Sequence, residues 1–192
     1  MDINHRIAAR LRRLRGERGL ALEGLAERSG VSRSMISLIE RGESSPTAVV
    51  LEKLATGLDV PLASLFDAPA AAADPVSRRK DQVEWRDPDS GYVRRNVSPA
   101  GVPSPFQIVE VAFPPGARVA YETGVRPGTT HQQIWVLQGA MEITLGRDRH
   151  ELSAGDCLAM VLDRPITFRN RTARPARYVV VVEHRPTIPP AA

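Results

Sequence analysis

Six residues of one ten-residue stretch, Ser32, Arg33, Ser34, Ser37, Leu38 and Arg41, have types and spacing that could do chemistry together. On a helix, Arg33, Ser37 and Arg41 form one outward row and Ser34 and Leu38 the next, with Ser32 at the start as a cap. Two forked guanidiniums, three hydroxyls and one apolar side chain make a short, narrow face suited to hydrogen bonds and ion pairs.

The surrounding sequence supplies the elements that would hold that face. Ile3, Ile7, Leu11 and Leu14 recur at helical spacing until Gly19, and Leu22, Leu25 and Ala26 mark a second short helix that turns at Gly30. The third helix follows Ser32, with Ile36, Ile39 and Met35 expected inside, and ends at Gly42. Pro46 and Thr47 open a fourth with Val50, Leu51, Leu54 and Leu58 inward, and LASLF is read as a fifth. Five short helices with a four-residue SGVS turn between the second and third meet the requirements of a helix-turn-helix.

The segment GLALEGLAERSGVSRSMISLIERGESSPTAVVLEKLATGLDVP resembles the lambda-repressor-like, XRE-family DNA-binding domain over residues 5–66, with LAERSGVS, ISLIERG and SPT in order at the family's spacings. That resemblance implies that the third helix enters the DNA major groove. There Arg33 is placed to meet guanine O6 and N7 together, Ser34 and Ser37 to reach bases or phosphates, and Leu38 a thymine methyl. Ser32 and Arg41 are expected on phosphates. The resemblance also implies an Arg15–Glu40 pair between helices one and three. Where the family often carries a DNA-contacting Gln, this chain has Leu22, which narrows the contact set.

The second half changes character. From about residue 83 the chain is rich in Val, Pro, Gly and Thr, and YVRRNVS, FQIVEVAF, HQQIWVLQ, AMEITLG, CLAMVL, ITFRN and ARYVVVVE read as short strands between turn signals. Such a series suggests a sandwich or barrel that closes its own edges. QIWVLQGAMEIT followed by LSAGDCLAMVLDRPITFRN resembles the two motifs of the cupin barrel, over residues 105–183.

By that resemblance a cupin metal would need a His-x-His pair, a Glu and a later His. Counting from Gly139 and Asn170, the Glu position holds Gln132, the later His position holds Ile166, and the pair falls on Arg126 and Gly128 or on Val125 and Pro127. An amide is a weak ligand and Ile is none, so no metal and no cofactor are expected. His131 lies one residue off and should face away from Gln132. A ligand pocket is instead expected on Gln132, Ile134, Met160, Ile166 and Phe168, with Glu122 and Arg126 placed to hold the polar end of a small organic effector. The alternative is a filled core that only dimerises the chain.

Composition bounds these readings. The 192 residues suit two small domains, here 1–67 and 83–186, joined by a Pro-containing linker over 68–82 and followed by a tail at 187–192. The net charge of +4 is mild, but six Arg lie within residues 1–18. Cys157 is the only cysteine, which excludes an internal disulfide and is expected to be a buried small hydrophobe. With no run of signal-peptide or membrane-span length, a cytoplasmic chain is expected. The sequence therefore predicts a non-enzymatic, two-domain transcriptional regulator: a five-helix bundle, then an antiparallel double-stranded β-helix, binding double-stranded operator DNA as a homodimer on an inverted repeat. A ligand-independent architectural or antitoxin-like DNA binder is the main alternative. A cupin enzyme would need ligands that the sequence lacks.

Overall fold

The computed structural model describes residues 3–66, 74–122 and 129–185. Four α-helices open it: α1 (Ile3–Glu17), α2 (Leu22–Ser29), α3 (Arg33–Glu40) and α4 (Ala48–Gly57). Ile7 and Leu11 of α1, Leu25 of α2, Ile36 and Ile39 of α3, and Leu51 and Leu54 of α4 are all buried, as their helical spacing requires. Met35 departs from expectation: it stands one residue off the Ile36 stripe and is 37% exposed, its Sδ 3.8 Å from Ser44 Oγ.

The fifth helix is a 3-10 helix, Leu62–Phe66, rather than an α-helix. Five residues starting from Pro61 give little room for i→i+4 bonds, and Ser64 N–H instead donates to Pro61 C=O at 2.9 Å. Gly57 lets α4 pass close to α2, because a Cβ there would stand 3.0 Å from Ser29 Cβ and 3.1 Å from its nitrogen.

Ten strands follow among the described residues. One sheet runs β1 (Glu84–Arg86), β2 (Val93–Asn96), β3 (Phe106–Phe113), β10 (Ala176–Arg185), β5 (Thr129–Gln138), β8 (Cys157–Val161). The other runs β4 (Arg118–Tyr121), β9 (Ile166–Arg169), β6 (Ala140–Leu145), β7 (Asp148–Ser153), and every pairing is antiparallel. The two sheets face each other as a flattened barrel with Ile134, Val136, Ile143 and Phe113 inside. Strands β1, β4 and β7 are not among the seven runs expected from the sequence. All three lie at sheet edges, and β7 has no buried residue, so the hydrophobic alternation that marks a strand is weak or missing. At the tight β5–β6 connection Gly139 has φ 76°, and a Cβ there would meet the Pro175 carbonyl oxygen at 2.9 Å.

The helical and β halves are packed directly on each other, not merely tethered. Asp87, 2% exposed in the turn after β1, accepts from the Ala48 backbone N–H at the start of α4 (2.8 Å) and from Ser90 N–H (2.8 Å) and Oγ–H (2.5 Å). A barrel carboxylate thus sits at the positive end of α4. Asn96 Nδ2 donates to Ala63 C=O at 3.2 Å, and Phe66 packs on Trp85 with ring centroids 5.4 Å apart. The buried apolar residues of both halves form one continuous cluster. The two halves are therefore joined by direct contacts as well as by the chain between them.

Candidate nucleic-acid interface and barrel cavity

The recognition face is built by a cap, a turn and two ion pairs. Gly30, left-handed at φ 66°, ends α2, and Ser32 then caps α3 by accepting from Met35 N–H at 3.3 Å. Ser32, Arg33, Ser34 and Arg41 are exposed, and Ser37 and Leu38 are half-buried. The structure therefore brings all six sequence-expected residues to one face. Arg33 Nε lies 2.5 Å from Glu23 Oε1, both side chains being well exposed, and Ser34 Oγ is 3.2 Å from Ser32 Oγ. Arg41 holds both oxygens of Glu43 at 2.8 Å and also donates to Ser37 Oγ at 2.5 Å. Arg41 keeps the Glu43 carboxyl below its ordinary range, chiefly through this hydrogen bond. Both guanidiniums are thus held beside acidic neighbours, in ion pairs so exposed that water leaves them weak.

Behind this face, Arg15 clamps α3 to α1. Its Nε and Nη2 donate to the two oxygens of Glu40 at 2.7 and 2.8 Å, and Nη1 donates to Leu20 C=O at 2.7 Å. The pair has the partners that the resemblance implies. Its hydrogen bond to Glu40 is the main cause that raises Arg15 above the ordinary guanidinium value. The clamp ties α3 to α1 through two parallel charge-assisted hydrogen bonds.

A second site lies between the two sheets. A cavity of about 80 Å³ opens there, roofed by Glu52 of α4 and by Pro61, Leu62 and Ala63 leading into the 3-10 helix. That volume accommodates several waters or one small organic molecule. Of the residues expected on its wall, Gln132, Ile166 and Phe168 line it. Ile134 and Met160 do not: Ile134 is fully buried in the core below, and Met160, opposite Gln132 in the β5–β8 ladder, packs beside it. Glu122 is placed elsewhere. It is 84% exposed and reaches Lys53 of α4 at 3.8 Å, because β4 ends at Tyr121 and leaves the next residue outside the lumen. Arg126 lies outside the described residues.

The polar groups that do enter the cavity come mainly from residues that sequence reasoning passed over. Tyr92 just before β2, Arg94 of β2, Tyr121 of β4 and Tyr178 of β10 line it. Tyr92 and Tyr121 hydroxyls are 3.2 Å apart, and the rings of Phe168 and Tyr178 stack with centroids 6.0 Å apart. Burial pushes all three phenols above their ordinary pKa, so they remain neutral donors. A signal did exist for Tyr92 and Arg94, since YVRR alternates the two onto one face of an extended chain. Tyr121 ends a strand whose polar start conceals it.

Metal chemistry does not fit this donor set. Gln132 and Ile166 face the cavity where the cupin fold would place Glu and His, positions 125–128 lie outside the described residues, and no three His, Cys, Asp or Glu converge among the described residues. His131 is exposed on the opposite face of β5 from Gln132. Cys157 is exposed too, not buried: β8 is the edge strand of its sheet, and register with Trp135 turns the thiol outward. Among the described residues no helix is long and apolar enough to cross a membrane.

Comparison with known proteins agrees with this architecture. Residues 11–65 match the helix-turn-helix family HTH_3, and residues 109–182 match the cupin domain family. The chain is 29% identical to the HTH-type transcriptional regulator SutR of Escherichia coli (strain K12), covering 85% of this chain and 86% of that one. It is 28% identical to the HTH-type transcriptional regulator PuuR of the same organism, over 93% and 94%. The crystal structure of an HTH_3 family transcriptional regulator from Vibrio cholerae superposes with a TM-score of 0.76 at 26% identity, over 95% of this chain and 97% of that one. The chain thus joins an N-terminal helix-turn-helix domain of the XRE kind to a C-terminal cupin domain, the organisation of a DNA-binding HTH-type transcriptional regulator.

Proposed function

We propose that this regulator reads an inverted repeat as a homodimer and that a small organic effector in the barrel cavity adjusts its grip on DNA. The observation that carries the effector reading is that the cavity is roofed by the DNA-binding domain itself, through Glu52 and residues 61–63. A molecule entering the cavity meets the residues on which the reading head is seated. The filled-core alternative is disfavoured by the open space and by the polar groups facing it.

The homodimer reading rests on reach and on surface. One eight-residue recognition helix reads too few base pairs to find its site among genomic competitors, and a two-fold pair of heads about one helical turn apart, roughly 34 Å, doubles the site. On the outer face of the six-stranded sheet, Phe106 and Trp135 are each 51% exposed and Val161 38%. Strand register places Phe106, Val179, Val181, Trp135 and Val161 on that one face. An apolar row across four strands suits a second copy of the chain.

Two experiments test this function. Selection from random DNA with the full chain should enrich a two-fold symmetric site; enrichment of unrelated sequences would contradict it. Trp135→Asp should shift the sedimentation of the protein from dimer to monomer and weaken operator binding, whereas an unchanged dimer would place the interface elsewhere.

A further inference from the structure

Arg94 carries a buried charge that touches the Tyr92 hydroxyl and the Phe66 ring but pairs with no carboxylate among the described residues. It is 7% exposed and lines the cavity, and its Nε has no hydrogen-bond partner. Among the described residues no carboxylate lies within ion-pair distance of it. Its guanidinium carbon instead sits 4.7 Å from the centroid of the Phe66 ring, in the last residue of the 3-10 helix that closes the DNA-binding domain. Glu52 lines the same cavity but is engaged in contacts of its own. A buried cation without an anion is expensive to keep, so its retention inside a cavity marks a place for one.

The other groups around Arg94 match such a guest. Tyr178 is 4% exposed, and its hydroxyl makes no hydrogen bond with the described residues. The Tyr92–Tyr121 hydroxyl pair has two protons for one mutual bond, so one O–H remains to donate inward. Phe168, Val111 and Ile166 supply an apolar wall.

We propose that the cavity binds a small organic monocarboxylate, its carboxylate held by the Arg94 fork and the tyrosine hydroxyls and its apolar body against Phe168 and Ile166. The planar guanidinium matches a carboxylate bidentately, and the small cavity favours a short or single-ring acid. Because the same guanidinium stacks on Phe66, the ligand's charge acts at a contact that joins barrel to reading head. This assignment rests on the effector reading above and names the class of that effector.

The test uses the full chain and two matched probe series: isobutyrate, isobutyramide and isobutylamine, and benzoate, benzamide and benzylamine, each titrated by calorimetry. At least one acid should bind about tenfold or more tighter than its own amide and amine, the margin expected when charge-assisted hydrogen bonds are exchanged for neutral ones. Arg94→Met should abolish that preference without lowering the melting temperature of the unliganded protein, because an apolar side chain replaces an unpaired charge. Arg94→Lys, which keeps the charge but not the fork, should retain only part of the preference. An amide or amine that binds as well as its acid overturns the carboxylate assignment and leaves the effector reading standing. Absence of binding by all six probes overturns both. The comparison within the wild type stands whether or not a variant folds.

Discussion

The recognition helix and the barrel cavity are built in opposite ways. Every residue of the DNA-facing row lies within ten positions of its neighbours, on an eight-residue helix whose geometry follows from a Ser cap and an isoleucine stripe. The cavity is assembled from β2, β3, β4, β5, β9 and β10 and roofed by α4 and the 3-10 helix, so its polar groups run from Glu52 to Tyr178, 126 positions apart. The first site keeps its cations at the surface, each beside an acidic neighbour that water weakens. The second buries its cation with no acid beside it. On the function proposed here, the surface guanidiniums would exchange one anion for another on DNA, while the buried one would take an anion from an effector.

The largest expected effect breaks the seam between the regions. Asp87→Ala removes the acceptor for Ala48 N–H and for both donors of Ser90, leaving a buried helix-start N–H unpaired, and should cost about 2–4 kcal/mol. Thermal unfolding should then split, with the helical half melting before the barrel. A single transition at the wild-type temperature would show that the halves are not held by this contact.

A smaller change sharpens the reading of the surface site. Arg33→Ala should relax base preference at one position of each half-site by roughly 1–3 kcal/mol, seen by comparing selected DNA with point-mutated sites. Arg41→Ala should instead weaken every sequence alike and make the dependence on salt shallower. Equal losses on specific and random DNA for Arg33→Ala would move that residue from base reading to phosphate binding.

The smallest effect concerns the acidic neighbour of Arg41. Because Arg41 depresses the Glu43 carboxyl, their pairing is complete above the ordinary carboxylate range and is lost only as pH falls through the lowered value. Near neutrality Glu43→Gln should therefore release the guanidinium and raise affinity for all DNA by a few-fold at most, because so exposed a pair is weak in water. The gain should vanish at high salt. A loss of affinity would mean that Glu43 orients Arg41 productively.

The same contrast explains what the sequence could reveal. The helices and the exposed row of α3 were legible because local periodicity and short spacing encode them, whereas the Arg15–Glu40 clamp, whose members are 25 positions apart, was reached only through the family resemblance. The fifth helix came out as a 3-10 turn because a five-residue run gives no periodicity to test. Counting to the metal positions found Gln132 and Ile166, which do line the lumen. It missed Arg94, Tyr121 and Tyr178, because what makes them a site is the closing of two sheets and the docking of α4, neither of which leaves a local pattern. Glu122 and Cys157 were placed inward for their chemistry, but a strand end and an edge strand turned them out.

If cavity and reading head act as one unit, operator affinity must differ with and without a carboxylate already shown to occupy the cavity. Anisotropy titration of the selected operator should give affinities differing about 5- to 150-fold, and the carboxylate's own affinity should change by the same factor when operator is present. Equal operator affinity at saturating carboxylate would contradict the claim and leave the barrel as a dimerisation platform.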